Sequence, residues 1–203
     1  MAPRFIARQL ANPHGWFGRV IGRLMNFHNA RMNVFAVREL DPRSSDRVLE
    51  IGFGGGASLP ALINSGAFIA GIDRSHAMVD RARHRFRKAI AAGKATFLQG
   101  QVEAMPFATS AFDKACTVNT VYFWPSLEGG FAEIFRVLAP SGRLAVGFLP
   151  KEYMDRMMMP TDIFTTRTPS DIFAALRASG FDDVHVGRPH ADIPWCIVSA
   201  RRP

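Results

Sequence analysis

Apolar and polar positions follow two rhythms along the chain. Residues 16–39 carry apolar side chains at helical spacing: Phe17, Ile21, Leu24, Met25, His28, Met32 and Phe35 share one stripe, and Asp41-Pro42 ends the run. Arg47 to Ile51 is then a short apolar strand running into Gly52-Phe53-Gly54-Gly55-Gly56. A helix of about a dozen residues is expected as far as Ser65-Gly66, and Phe68 to Ile72 is a second strand that ends at Asp73. Ser75 can cap a helix through about Ala91; Ala95 to Leu98 and Phe112 to Val118 are the third and fourth strands. Glu128 to Leu138 reads as a helix closed by the turn Ala139-Pro140-Ser141-Gly142, and Arg143 to Phe148 as a fifth strand. Pro169 to Ser179 is a helix with proline in its first turn and Gly180 at its end. Asp183 to Val186 and Trp195 to Ala200 follow as two strands with no helix between them.

Strands that alternate with helices predict the α/β class. The expected architecture is a Rossmann-like, doubly wound, mostly parallel seven-stranded sheet, with the last two strands as an antiparallel edge hairpin. Ligands of such sheets bind beyond the C-terminal strand ends, where the strand order reverses.

Composition narrows the class. The chain has 203 residues, 48% hydrophobic and 21% charged, which fits one globular domain and excludes disordered and fibrous classes. Cys116 and Cys196 lie inside apolar runs and read as buried thiols rather than a disulfide framework. No stretch reaches the ~18 uninterrupted apolar residues of a membrane span, and no secretion signal is evident, so a cytoplasmic protein is expected. The histidines and cysteines show no close ligand spacing, and no metal site is expected. Of the net charge of +8, residues 1–40 contribute +5 and residues 74–94 contribute +6. Two basic faces of this kind attract a polyanion or form solvated helix surfaces. Nothing in the sequence marks an oligomeric state.

The candidate chemistry begins at Glu50-Ile51-Gly52-Phe53-Gly54-Gly55-Gly56-Ala57. Gly52-x-Gly54-x-x-Ala57 fits a dinucleotide fingerprint, with glycines admitting a pyrophosphate to a helix N-terminus. Glu50-x-Gly52-x-Gly54-x-Gly56 reads equally as an acid ahead of a glycine loop, suited to a ligand with a cationic amino-acid end. Asp73, at the tip of the second strand, is placed to hold ribose hydroxyls. Further on stand Gly100-Gln101-Val102-Glu103-Ala104-Met105-Pro106-Phe107, then Phe112-Asp113, then the turn at Pro140-Ser141-Gly142.

In this order and on alternating strands, these segments resemble the class I S-adenosylmethionine-dependent methyltransferases, closest to the small bacterial branch whose third-strand loop reads roughly G-D-A-E-x-L-P-F. The resemblance spans Asp46 to the C-terminus and implies S-adenosylmethionine as cofactor. It puts the methionine end over Gly52, Phe53, Gly54 and Gly56 with Glu50 near the ammonium, and the ribose on Asp73. Adenine falls to the Val102 backbone, with Gln101 or Glu103 near its amine, and Asn119 lies near the transferring methyl. The chain departs from the family at Gln101, where an aspartate is usual, and at Arg74, where an apolar residue packs on the adenine and a guanidinium can stack instead.

Methyl transfer from a sulfonium chiefly needs alignment and exclusion of water. A base is needed only where the acceptor must lose a proton, and His28 and Tyr122 are the leading candidates, ahead of Tyr153 and His14. Tyr122-Phe123-Trp124 follow the fourth strand, where the acceptor belongs. The expected organisation is one domain: residues 1–42 as an N-terminal helical lid and 43–203 as the cofactor-binding core, with a methionine-rich cap insertion at 151–168. The first expectation is transfer to a small-molecule acceptor. The alternatives are a nucleic-acid methyltransferase using the basic faces and a nicotinamide-dependent oxidoreductase using the glycine fingerprint; the Asn119-Thr120-Val121-Tyr122 segment lacks the paired prolines of amino-methylating enzymes.

Overall fold

A computed structural model describes residues 30–187 and 194–203. Its strands are β1 (Arg47–Ile51), β2 (Phe68–Asp73), β3 (Ala95–Gln99), β4 (Phe112–Val118), β5 (Leu138–Phe148), β6 (Asp182–Gly187) and β7 (Cys196–Arg201). They form one sheet in the order β3-β2-β1-β4-β5-β7-β6. Strands β1 to β5 are mutually parallel, and β7 runs antiparallel to both neighbours. The doubly wound sheet expected from the alternation is therefore present. The expected antiparallel edge pair is present too: β7 lies next to β5, and β6 forms the edge. The burial pattern fits, because Cys196 to Ala200 are all buried whereas β6 is largely exposed or half-buried.

Helices cover both faces. Helix α1 occupies 30–40 of the described residues; α2 is Leu59–Asn64, α3 His76–Arg85, α4 Arg87–Ala91, α5 Leu127–Val137, α6 Lys151–Arg156 and α7 Pro169–Ala178. On one face Phe131 and Ile134 of α5 and Ile172 and Leu176 of α7 bury against Phe112, Leu144 and Val146. On the other, Met32, Ala36 and Leu40 of α1 join Leu62 and Met78 over Val48, Ile69 and Phe97. Local chemistry starts the helices where the sequence indicates. Ser75 accepts from the Met78 N–H, Ser126 from Gly129, and Thr168 forms a reciprocal capping box with Asp171 ahead of Pro169.

Four local readings change. The single helix expected from Ser75 to Ala91 breaks at Phe86, which turns its ring toward Phe97 at 5.8 Å. Ala139-Pro140-Ser141-Gly142 is not a turn before β5 but an irregular stretch inside it, with Ser141 at φ +65° and a register shift opposite β4. The insertion after β5 carries the unforeseen helix α6. The fourth is the helix after the glycine loop, which spans only Leu59–Asn64. Within the expected lid segment, Met32 and Ala36 are buried in the core and Phe35 packs on Trp195 at 5.4 Å. Residues 1–29, with His14 and His28, lie outside the described residues.

Candidate active site

Because β1 neighbours β2 on one side and β4 on the other, the chain connections part at this point and leave a crevice beyond the strand ends. Loops after β1, β2, β3 and β4 converge on a cleft of about 230 Å³. The loop after β1 is shaped by backbone alone. Gly52, Gly54 and Gly56 have φ of +68°, +48° and +71°, in the left-handed region that side chains disfavour. A Cβ at Gly52 would collide with the Thr120 methyl, whereas one at Gly54 would meet nothing within 4 Å. Gly54 thus presents bare backbone to the cleft.

Asp73 ties this loop to β2. Its Oδ2 accepts from the Gly54 N–H at 2.7 Å and its Oδ1 from Ser75 at 2.8 Å. Burial pushes its carboxyl above the ordinary range, against the pull of those two donors. Glu50 is buried on the α2 side of the sheet, where the Ser58 hydroxyl donates to its Oε1 while Oε2 has no hydrogen-bond partner. Burial and, to a lesser degree, Asp73 push Glu50 up to about 7, with Ser58 opposing. The turn after β3 is held by a bridge between Gln101 and Ala104. In it Gln101 is exposed, Val102 buried and Glu103 half-buried, with Glu103 Oε1 lacking a partner.

The loop after β4 is built from side chains. Asn119 sits at φ +59°, and its N–H donates to the Gly147 carbonyl at 2.8 Å. The Tyr122 hydroxyl donates to Asn119 Oδ1 at 3.0 Å and accepts from the Leu149 N–H. Thr117 Oγ1 donates to the Ile51 carbonyl at 3.0 Å and contacts the Thr120 hydroxyl. Phe123, Trp124 and Pro125 wall the cleft, and Phe164 of the insertion packs behind Phe123 at 4.9 Å.

Of the residues singled out in the sequence, Gly52, Gly54, Asp73, Arg74, Gln101, Val102, Glu103 and Asn119 line this cleft. Others sit elsewhere. Phe53 is buried against Phe97 at 5.5 Å, so its side chain belongs to the core. Gly56 turns toward Leu59, and Glu50 is enclosed with Ser58. Tyr122 does not line this cleft: its ring is buried, both sides of its hydroxyl are engaged, and burial holds its proton far more tightly than in a free tyrosine. The aromatic triplet is therefore split, with Phe123 and Trp124 on the cleft and Tyr122 behind it. Thr120 and Pro125 line the cleft without having been read as functional. A threonine at a strand end looks like β-propensity, and only its partners reveal more.

A family model described as "Methyltransferase domain" matches residues 49–146, from β1 into β5. The uncharacterized methyltransferase YdaC of Bacillus subtilis is 28% identical over 173 residues, 82% of this chain and 88% of that protein. A sterol 24-C-methyltransferase of Pneumocystis carinii is 35% identical over 104 residues, 51% of this chain, but the match spans only 28% of that longer protein. Among solved structures, the geranyl diphosphate C-methyltransferase of Streptomyces coelicolor, complexed with Mg2+, geranyl diphosphate and S-adenosyl-L-homocysteine, superposes with a TM-score of 0.71. At 14% identity, over 97% of this chain and 88% of that one, this likeness concerns the fold. The dinucleotide reading of the glycine loop gives way, and with it the oxidoreductase alternative. Motif order, strand order and these relatives all support a class I S-adenosylmethionine-dependent methyltransferase.

Proposed function

We propose that this enzyme transfers the methyl group of S-adenosylmethionine to a small, largely apolar acceptor. The observation that carries this reading is the division of the cleft into a polar floor of loops and an apolar wall of the aromatic Phe123 and Trp124 with Pro125. The cofactor fits the residues present. Gly54 leaves room for close approach, and Glu103 Oε1 is a buried acceptor awaiting a donor. In this reading, supported by the strand order β3-β2-β1-β4, adenine lies on Gln101, Val102 and Glu103, with Arg74 beside it. Ribose goes to Asp73, and the methionine end to Gly52, Gly54 and Asn119.

When bound, S-adenosylmethionine supplies a methyl group on a cationic sulfur that departs as a neutral thioether. The work of the chain is to align the acceptor for in-line attack and to keep water out, which the apolar wall does. Tyr122 serves by holding Asn119 in its left-handed conformation rather than by moving a proton. Among the described residues no histidine or tyrosine lines the cleft, which favours an acceptor that needs no strong base. Similarity to sterol C-methyltransferases supports an apolar acceptor. The competing acceptor is nucleic acid, favoured by the exposed Arg83, Arg85, Arg87 and Lys88 on α3 and α4.

Two measurements test the reading. Calorimetry is expected to show S-adenosylmethionine binding that Asp73→Ala weakens by ~1.5–3 kcal/mol in a folded protein, the range for hydrogen bonds to a charged group. Methyl-labelled cofactor incubated with pooled cell extract is expected to deliver label to the organic-soluble small-molecule fraction. Label in RNA, with steep salt dependence, would establish the nucleic-acid reading in its place.

A further inference from the structure

We propose that Thr120 is a cofactor-binding residue whose hydroxyl oxygen is a fixed hydrogen-bond acceptor for the ammonium at the methionine end of S-adenosylmethionine. The inference rests on the functional reading above and deepens it.

Thr117 is fully buried and its hydroxyl donates to the Ile51 carbonyl at 3.0 Å. A threonine hydroxyl has one proton, so Thr117 has none left for Thr120. In the contact between the two hydroxyls Thr120 is therefore the donor and Thr117 the acceptor. That bond uses the only proton Thr120 carries. Thr120 is half-buried and lines the cleft; its oxygen is left with lone pairs alone, and the chain Thr120 to Thr117 to Ile51 keeps the hydroxyl from turning over. Such an oxygen attracts a donor, best of all a cationic one, and repels a carboxylate.

Position selects which donor. Thr120 lies against Gly52, where a Cβ would strike its methyl group, at the junction of the β1 and β4 ends. The other donors of the cofactor, the adenine amine and the ribose hydroxyls, fall to the β3 and β2 side of the cleft. The ammonium is what remains at the β1–β4 side. Of the competing side-chain acceptors, Asn119 Oδ1 already takes one donor from Tyr122, which leaves it a single lone pair, and Glu50 is enclosed with Ser58 and does not line the cleft. Thr120 thus takes the role that the sequence suggests for Glu50.

The test compares two ligands that share the nucleoside. S-adenosylhomocysteine carries the amino-acid end, and 5′-methylthioadenosine lacks it. Thr120→Val keeps the shape and removes the oxygen, so it is expected to weaken S-adenosylhomocysteine by about tenfold or more and leave 5′-methylthioadenosine unchanged. Thr120→Ser restores affinity. Thr117→Val frees the Thr120 proton and gives a smaller loss, again for S-adenosylhomocysteine alone. Thermal unfolding monitors each variant, and Thr120→Ala carries the same contrast if the valine variant does not fold. Equal weakening of both ligands, unchanged binding of both, or an effect confined to the acceptor KM overturns the assignment. Wild-type protein that binds neither ligand overturns the functional reading itself.

Discussion

The loops after β1 and β4 border one cleft and are made in opposite ways. The first is backbone: three glycines at positive φ, one of them bare toward the cleft, held by the Asp73 carboxylate through the Gly54 N–H. The second is side chain: two linked threonines, an asparagine held by a buried tyrosine, and a wall of rings. A backbone surface offers the same close approach whatever residues surround it, so it tolerates change around it. A side-chain surface changes with every substitution, so its contacts depend on which residues stand there. The difference makes the β1 side a fixed shape and the β4 side the part of the cleft that residue identity tunes.

Glycine substitution breaks the first loop most severely, and its two central glycines separate fold from binding. Gly52→Ala adds a Cβ at φ +68° into the Thr120 methyl, so it damages both loops at once. Strain and overpacking together are expected to cost roughly 3–5 kcal/mol. Gly54→Val has no neighbour to strike and is expected to keep the fold at a strain cost of ~1–3 kcal/mol, yet to lose cofactor binding by bulk. Urea unfolding and calorimetry on both variants distinguish the two. Wild-type affinity in folded Gly54→Val would mean that its bare backbone serves only the turn.

The second effect lies beneath the same loop. Glu50 in the folded protein is pushed up to about 7 from the ordinary value of 4.5 by burial, with Asp73 adding to it. The folded state therefore holds a proton that the unfolded chain releases. Stability is full below about pH 4.5 and falls as pH rises toward 7, by about 3 kcal/mol for Glu50 alone. Asp73 moves in the same direction. Denaturant unfolding of the ligand-free protein between pH 4.5 and 8 is expected to show this decline. Glu50→Gln, neutral throughout, should flatten most of it. An unchanged slope in Glu50→Gln would assign the titration elsewhere.

The same contrast explains what could be read from the sequence. Glycines at fixed spacing, an acid at a strand tip, the cap Ser75 and the first-turn proline Pro169 mark backbone requirements that few residue types can meet, so strands, these helix starts and the β1 loop were legible. The β4 loop was not, because Thr117, Thr120 and Tyr122 act through partners brought together by folding; Tyr122 and Leu149 are 27 positions apart. Phe53 misled for a related reason. Between glycines of free conformation its side-chain direction has no periodicity to betray it, and it turned to the core. Which strand of the edge pair adjoins β5 was also hidden, since strand pairing across the last connection depends on which edge remains uncovered rather than on local pattern.

The smallest expected effect tests the second loop alone. The Tyr122 hydroxyl is the one group that joins Asn119 Oδ1 to the Leu149 N–H, so Tyr122→Phe leaves both without that partner while the ring stays packed on Phe164. A loss of about 1–2 kcal/mol in stability follows from the orphaned polar groups. Because Asn119 is assigned to the methionine end of the cofactor, the loss is expected to fall on that end alone. Methyl transfer is expected to slow in kcat, and S-adenosylhomocysteine affinity to fall modestly, as Asn119 leaves its left-handed conformation, with 5′-methylthioadenosine affinity close to wild type. The pH dependence of kcat should not change shape, because a hydroxyl whose proton is held so firmly by burial is not the base. A variant that weakens both ligands equally would place Asn119 away from the methionine end. One that loses a limb of the pH profile would return Tyr122 to the chemistry.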